Sequence, residues 1–142
     1  MTAAMTRAYR FSASHRLHSE AFSESENEQI FGKCNNPFGH GHNYELKVTV
    51  SGPVDPTTGT VVSIGSLDRY VAGRVIAELD GRNMNVDVPE FRDLIPTTEN
   101  VTDVIAQRLR SGWEAEFGTS GARLARVHVQ ETARNGFELE VL

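Results

Sequence analysis

The chain has 142 residues, 39% apolar and 23% charged. This composition suits one globular domain over residues 1–142 and lies far from the low-hydrophobicity, high-charge range of disordered chains. Lys and Arg number 14 against 19 Asp and Glu, a net charge of −5 with no basic run that could track a phosphate backbone, so nucleic acid is not an expected partner. A single cysteine, Cys34, excludes an intrachain disulfide, and no apolar run reaches the roughly 20 residues of a membrane span or has the form of a signal peptide, so a cytoplasmic location with no membrane partner is expected.

Thr6 to Ser14 reads as a first strand, followed by a short helix near Ser23 to Ile30 with Ser23 and Glu26 as its capping box. His40 to Val50 alternates: His40, His42, Tyr44, Leu46, Val48 and Val50 fall at even positions against polar residues at odd ones, the pattern of a half-buried strand. Asp55-Pro56-Thr57-Thr58-Gly59 is a turn. Leu67, Tyr70, Val71, Val75 and Leu79 recur at helical spacing, giving a helix over Ser66 to Leu79 with Ser66 as N-cap and Gly81 as a left-handed C-terminal cap.

A loop is expected over Asp80 to Pro96. A second long helix then carries Val101, Val104, Ile105, Leu109, Trp113 and Phe117 after a Thr97 or Thr98 cap. Leu124 to Glu131 and Phe137 to Val141 read as two strands, with Asn135-Gly136 favouring a hairpin between them. Strands, helices, then strands argue for an α+β fold: an antiparallel four-stranded sheet with two helices on one face. The edges of such a sheet need covering, and copies of the same chain can cover them.

His40-Gly41-His42 opens the second predicted strand. Residues two apart on a strand share a face, so both imidazoles can converge on one ion, although His-x-His alone also reads as two partly exposed histidines at a loop end. His15 ends the first predicted strand, and an antiparallel hairpin would bring it to the same place. Three imidazoles at one sheet end fit a zinc site with an open fourth position. Cys34, six residues before His40, is then a fourth ligand, an inert or free thiol, or a base and nucleophile beside the metal. Glu131 shares a face with Val127 and Val129. A carboxylate there needs a partner such as a ligand's N–H donors, unless it already sits solvated in the turn.

From about Phe11 onward the segments FSASHRLHS, FGKCNNPFGHGHNYE, LDGRNMN, PTTENV and VQETARNG stand in the order and spacing of a known family: the chain resembles the 6-pyruvoyltetrahydropterin synthases. The five residues between Cys34 and His40 look like the biopterin-forming branch, since the related 6-carboxytetrahydropterin synthases usually have a shorter spacing. The resemblance implies that His15, His40 and His42 bind catalytic zinc and that Cys34 is the proton-abstracting thiolate. It implies that Glu131 anchors the pterin, that Asp80 is the family's acid-base aspartate, and that Thr97, Thr98 and Glu99 line the pterin pocket.

The implied fold is the tunnelling fold, whose copies close into barrels as a homo-oligomer, a trimer or hexamer. The implied reaction is a magnesium-dependent lyase step, loss of triphosphate from 7,8-dihydroneopterin triphosphate to give 6-pyruvoyltetrahydropterin. One departure stands out: the family has a relay histidine directly after the aspartate, where this chain has Gly81. His18 and His128 are not evident replacements; His128 falls on the strand face opposite Glu131 unless a bulge intervenes. A related pterin side-chain lyase, 6-carboxytetrahydropterin synthase-like, or a non-catalytic pterin-binding homologue are the alternatives this glycine leaves open.

Overall fold

The computed structural model describes residues Met1–Leu142. Two 14-residue strands, β1 (Thr2–His15) and β2 (His40–Pro53), pair antiparallel without interruption from Thr2↔Pro53 to His15↔His40. Because side chains alternate along a strand, this register assigns every residue of both strands to a face. Odd positions of β1 and even positions of β2 turn inward, so that Phe11, Ala13, Tyr44, Leu46, Val48 and Val50 are buried.

β2 also pairs with β4 (Arg123–Thr132), and β4 with β5 (Asn135–Glu140), both antiparallel. The inward face packs against α2 (Ile64–Val71) and α5 (Thr98–Ser111), whose Leu67, Val71, Val101, Ile105 and Leu109 are all fully buried. These elements share one contiguous core of 26 buried residues. The opposite face carries polar ladders: Thr6 and Thr49 hydroxyls meet at 2.8 Å, and Arg126 Nε donates to Glu140 Oε1 at 2.6 Å. No helix is long and apolar enough to cross a membrane.

Several elements differ from the sequence expectation. The sheet has a fifth strand, β3 (Arg82–Asn83), and the order β3-β1-β2-β4-β5. The added β3 runs parallel to β1 at Ala13 and Ser14, and two residues are too few to leave a periodic signal. The first long helix is capped by Ser63, whose Oγ accepts from Ser66 N–H, one turn earlier than expected. It passes through a π turn at Ala72–Ile76 before ending in α3 (Ala77–Leu79).

The expected loop holds β3, α4 (Met84–Asp87) and a 3₁₀ turn at Pro89–Arg92. The second long helix breaks at Gly112 into α5 and α6 (Trp113–Phe117). α1 (Glu24–Phe31) keeps the predicted capping box, with Ser23 and Glu26 exchanging side-chain and backbone bonds. The β4–β5 turn falls on Ala133 and Arg134, and Asn135 already pairs with Thr132. An Asn-Gly hairpin turn needs positive φ at both central residues, and Asn135 and Gly136 have none.

Leu46 lies at the centre of this core with no exposed surface. Leu46→Ala is expected to cost about 2–5 kcal/mol through lost burial and the cavity left behind, read as a lowered urea midpoint with an unchanged slope.

Candidate active site

The last pair of the β1–β2 ladder is His15 with His40, and His42 stands opposite Ala13. All three histidines therefore face the helices at one end of the sheet, as the spacing predicted. His15 is 1% exposed, and its Nδ1 donates to the Pro96 carbonyl at 2.9 Å, with the Tyr44 hydroxyl 3.3 Å from the same nitrogen. That bond fixes the tautomer and leaves the Nε2 lone pair free. His15 Nε2 lies 3.2 Å from His42 Nε2. Two lone pairs at this separation repel unless a proton or cation lies between them. It is also close to the ~3.3 Å edge of a tetrahedron with metal–nitrogen bonds of about 2.0–2.1 Å. With His40 Nε2 and Cys34 Sγ, the four donor atoms lie within 4.8 Å of one another, a group that could hold a metal ion.

Cys34 comes from a 3₁₀ turn, Gly32–Asn35, after α1. Its Sγ is 3.0 Å from His40 Nε2. The turn is tied to the segment leaving β1: Leu17 N–H donates to the Cys34 carbonyl at 2.7 Å, and Asn35 Nδ2 donates to the Leu17 carbonyl at 3.0 Å. Asn85 of α4 grips the same segment from the other side, accepting from Arg16 N–H at 2.7 Å and donating to the Arg16 carbonyl at 3.0 Å. Gly39 completes the loop at φ +71°, where a Cβ would stand 2.8 Å from the His15 carbonyl oxygen. Glycine is required there both by conformation and by space.

Glu131 sits where β4 shifts register between Gln130 and Thr132, and its side chain is 9% exposed, so it is not solvated in the turn. Its Oε1 lies 3.5 Å from His42 Nε2, and its Oε2 accepts from Thr98 Oγ1 at 2.5 Å. Thr98 Oγ1 in turn accepts from Asn135 Nδ2 at 3.1 Å. His128 lies on the other face, 2.9 Å from Gln130 Oε1.

The remaining expected site residues stand apart from the cluster. The Thr97 hydroxyl caps α5 by accepting from Asn100 N–H, and Glu99 is exposed in the first turn of that helix. Asp80 is exposed, and its Oδ1 accepts from Ser12 N–H at 2.8 Å, a bond to the edge of β1 and not to Cys34 or the histidines. Asp80 (φ −65°, ψ 128°) and Gly81 (φ 74°) form the central pair of a type II turn, and Gly81 N–H donates to the Ser12 carbonyl. Gly81 is thus left-handed as predicted, but it serves this turn and not the helix end. Nothing lies within 4 Å of where its Cβ would be, so the backbone and not crowding favours glycine. Sequence reasoning missed Tyr44, Asn35, Asn85 and Asn135. The first was read only as a strand residue and the last only as a turn signal.

Burial lowers the pKa of both His15 and His42 below the ordinary imidazole value. Burial, and then the Glu131 carboxylate, push the Cys34 thiol up, and a bound cation would oppose both effects. The buried imidazoles are therefore neutral in the folded protein, the form a metal requires. Because their folded pKa values lie below the unfolded value of about 6.5, the unfolded chain binds more protons just below that pH. The metal-free protein should hold its full stability above about pH 6.5 and lose it as the pH falls further, read as a lower urea midpoint at about pH 5.5 than at about pH 7.5. Gly39→Ala should destabilise by at least about 1–2 kcal/mol from the positive φ alone, and should weaken metal uptake because His15 and His40 flank the displaced loop, measured by calorimetric metal titration.

The family profile described as 6-pyruvoyl tetrahydropterin synthase matches residues 4–141. A 6-pyruvoyl tetrahydrobiopterin synthase of Homo sapiens is 48% identical over 108 residues, covering 76% of this chain and 74% of that protein. One from Poecilia reticulata is 48% identical over 131 residues, covering 92% and 85%. The solved structure of Caenorhabditis elegans 6-pyruvoyl tetrahydropterin synthase superposes with a TM-score of 0.87 at 39% identity, covering 99% of this chain and 96% of that one. By sequence, by fold and by the length of both chains covered, this protein belongs to the 6-pyruvoyl tetrahydropterin synthase family.

Proposed function

We propose that the protein is a zinc-dependent lyase that eliminates triphosphate from 7,8-dihydroneopterin triphosphate to give 6-pyruvoyltetrahydropterin. The observation that carries this reading is the convergence of three imidazoles and a thiol within 4.8 Å, with the nearly buried Glu131 carboxylate 3.5 Å from one of the imidazoles. The donor set fits zinc: His15, His40 and His42 supply neutral nitrogen, as a catalytic ion with an open position needs. These three histidines would hold the zinc, which would supply Lewis acidity toward the side-chain oxygens of the substrate and so make the adjacent C–H more acidic.

Cys34, within hydrogen-bond reach of His40, takes and returns the protons of the rearrangement. Glu131 accepts the N–H donors of the pterin ring, while Thr98 holds the carboxylate in place. Thr97 and Glu99 belong to the pocket rim at the start of α5, Thr97 through its hydroxyl proton, since that oxygen accepts from Asn100 N–H and both backbone groups are paired. Mg²⁺ would accompany the triphosphate as its counter-ion.

Asp80 keeps one carboxylate oxygen free of Ser12 and serves as a second acid-base group without a histidine beside it. The long edge of β1 from Thr2 to Phe11, paired on one side only, and the outer edge of β5 suit closure of several copies into a barrel of the tunnelling fold, as a trimer or hexamer in the cytoplasm. Gly81 specifically favours a second reading: without the relay histidine, the chain acts as a sister pterin side-chain lyase or binds a pterin without turning it over.

Incubating the zinc-loaded protein and Mg²⁺ with 7,8-dihydroneopterin triphosphate, with mass spectrometry of the products, separates these readings. The expected product is 6-pyruvoyltetrahydropterin, with Cys34→Ala slowing its formation by about 10²–10⁴-fold while zinc and pterin binding persist. A 6-carboxy or 6-hydroxymethyl product assigns the chain to a sister branch, and a bound but unconverted pterin makes it a binding protein. Loss of zinc in Cys34→Ala would instead make that thiol a metal ligand.

A further inference from the structure

Thr98 Oγ1 has one proton and two hydrogen-bonding neighbours, Glu131 Oε2 at 2.5 Å and Asn135 Nδ2 at 3.1 Å. A hydroxyl donates once and accepts up to twice. The Asn135 Nδ2 can only donate, so Thr98 accepts from it and directs its own proton at Glu131. We propose that Asn135 is a positioning residue for the ligand of this site: it sets the direction of the chain Asn135→Thr98→Glu131, tying down Glu131 Oε2 and leaving Oε1 as the oxygen presented to a ligand's paired N–H donors. This rests on the reading of Glu131 as the pterin anchor.

The backbone is built to make the contact. The register shift at Glu131 and the two-residue turn at Ala133 and Arg134 bring Asn135 opposite Thr132, beside the first turn of α5. Thr98 itself is 3% exposed, whereas Asn135 as a residue is exposed and reaches inward only by its amide. An exposed asparagine at the end of a hairpin contributes little to the core, so an effect of its loss on ligand affinity reports on the hydroxyl it orients. Any residue lacking a donor at this position leaves the Thr98 hydroxyl free to turn from Glu131 toward water.

The test is a double-mutant cycle on the zinc-loaded protein, reading the Kd for 7,8-dihydroneopterin, which has the ring and side chain without the triphosphate. Asn135→Ala and the isosteric Asn135→Asp, which both remove the donor, should each weaken binding roughly three- to tenfold, the range of one hydrogen bond. In a Thr98→Val background Asn135→Ala should have less than about a twofold further effect, because the group it acts through is gone. With the full substrate the change should appear in KM and not in kcat.

Unchanged affinity in both Asn135 variants overturns the proposal. So does a loss of equal size in the Thr98→Val background, which would mean that Asn135 touches the ligand directly or only shapes the hairpin. Glu131→Gln, measured alongside, separates the two levels. If it binds as tightly as the unaltered protein, the anchor reading fails and the positioning role with it. If it loses binding while the Asn135 variants do not, only the positioning role fails.

Discussion

The uninterrupted pairing of β1 with β2 is the constraint on which everything else depends. Fourteen consecutive pairs end at His15↔His40, so the same ladder that buries Phe11, Tyr44 and Leu46 delivers the histidines to one place. A shift of one residue would turn Leu46, Val48 and Val50 to the polar face and His40 and His42 with them. The register is therefore held by core burial over the whole strand length, and the histidine cluster occupies its last two inward positions without having to hold the pairing itself. This explains how the donor cluster is assembled without an ion to gather it: the strands fix it, and the Pro96 carbonyl orients its most buried ring.

Much of this was legible in the sequence, because period-2 alternation and period-3.6 spacing report directly on which face is buried. The His-Gly-His pair, the convergence of His15, and the face opposing His128 to Glu131 all follow from strand geometry. What escaped was whatever depends on one backbone hydrogen bond. β3 is two residues held against β1, the helix cap moved from Ser66 to Ser63, and the Asn135-Gly136 dipeptide lost its turn to the register shift at Glu131. Alternation already put Glu131 on the buried face of Val127 and Val129, but the shift beside it and the contact of Asn135 with Thr98 leave no mark in the sequence pattern.

Gly81 shows how a residue can be explained locally and still bear on chemistry. The type II turn at Asp80 and Gly81 stitches the end of α3 to the edge of β1 through two bonds with Ser12, one from the Asp80 carboxylate and one from the Gly81 amide. Glycine suits a φ of 74° better than histidine does, so the turn gains conformational ease where the family resemblance places a proton relay. The open space around Gly81 means that nothing else has moved in to take that role. Of the candidate acid-base groups, Cys34 is the one within hydrogen-bond distance of the imidazole cluster, whereas Asp80 is bonded to the edge of β1.

The start of α5 joins the two halves of the site. Three consecutive residues there have three different attachments: the Pro96 carbonyl accepts from His15, the Thr97 hydroxyl caps the helix, and the Thr98 hydroxyl donates to Glu131. The helix is anchored further by Thr102 Oγ1, which donates to the Thr98 carbonyl, and by Asn100 Nδ2, which donates to the Ile95 carbonyl. Its fully buried Val101, Ile105 and Leu109 seat it on the sheet. The distance between the three imidazoles and the carboxylate is consequently set by a helix terminus and three strands packed into one core, not by flexible loops. Such a frame would hold an ion and the ring of a ligand at fixed separation, the preorganisation that chemistry on a substrate side chain requires.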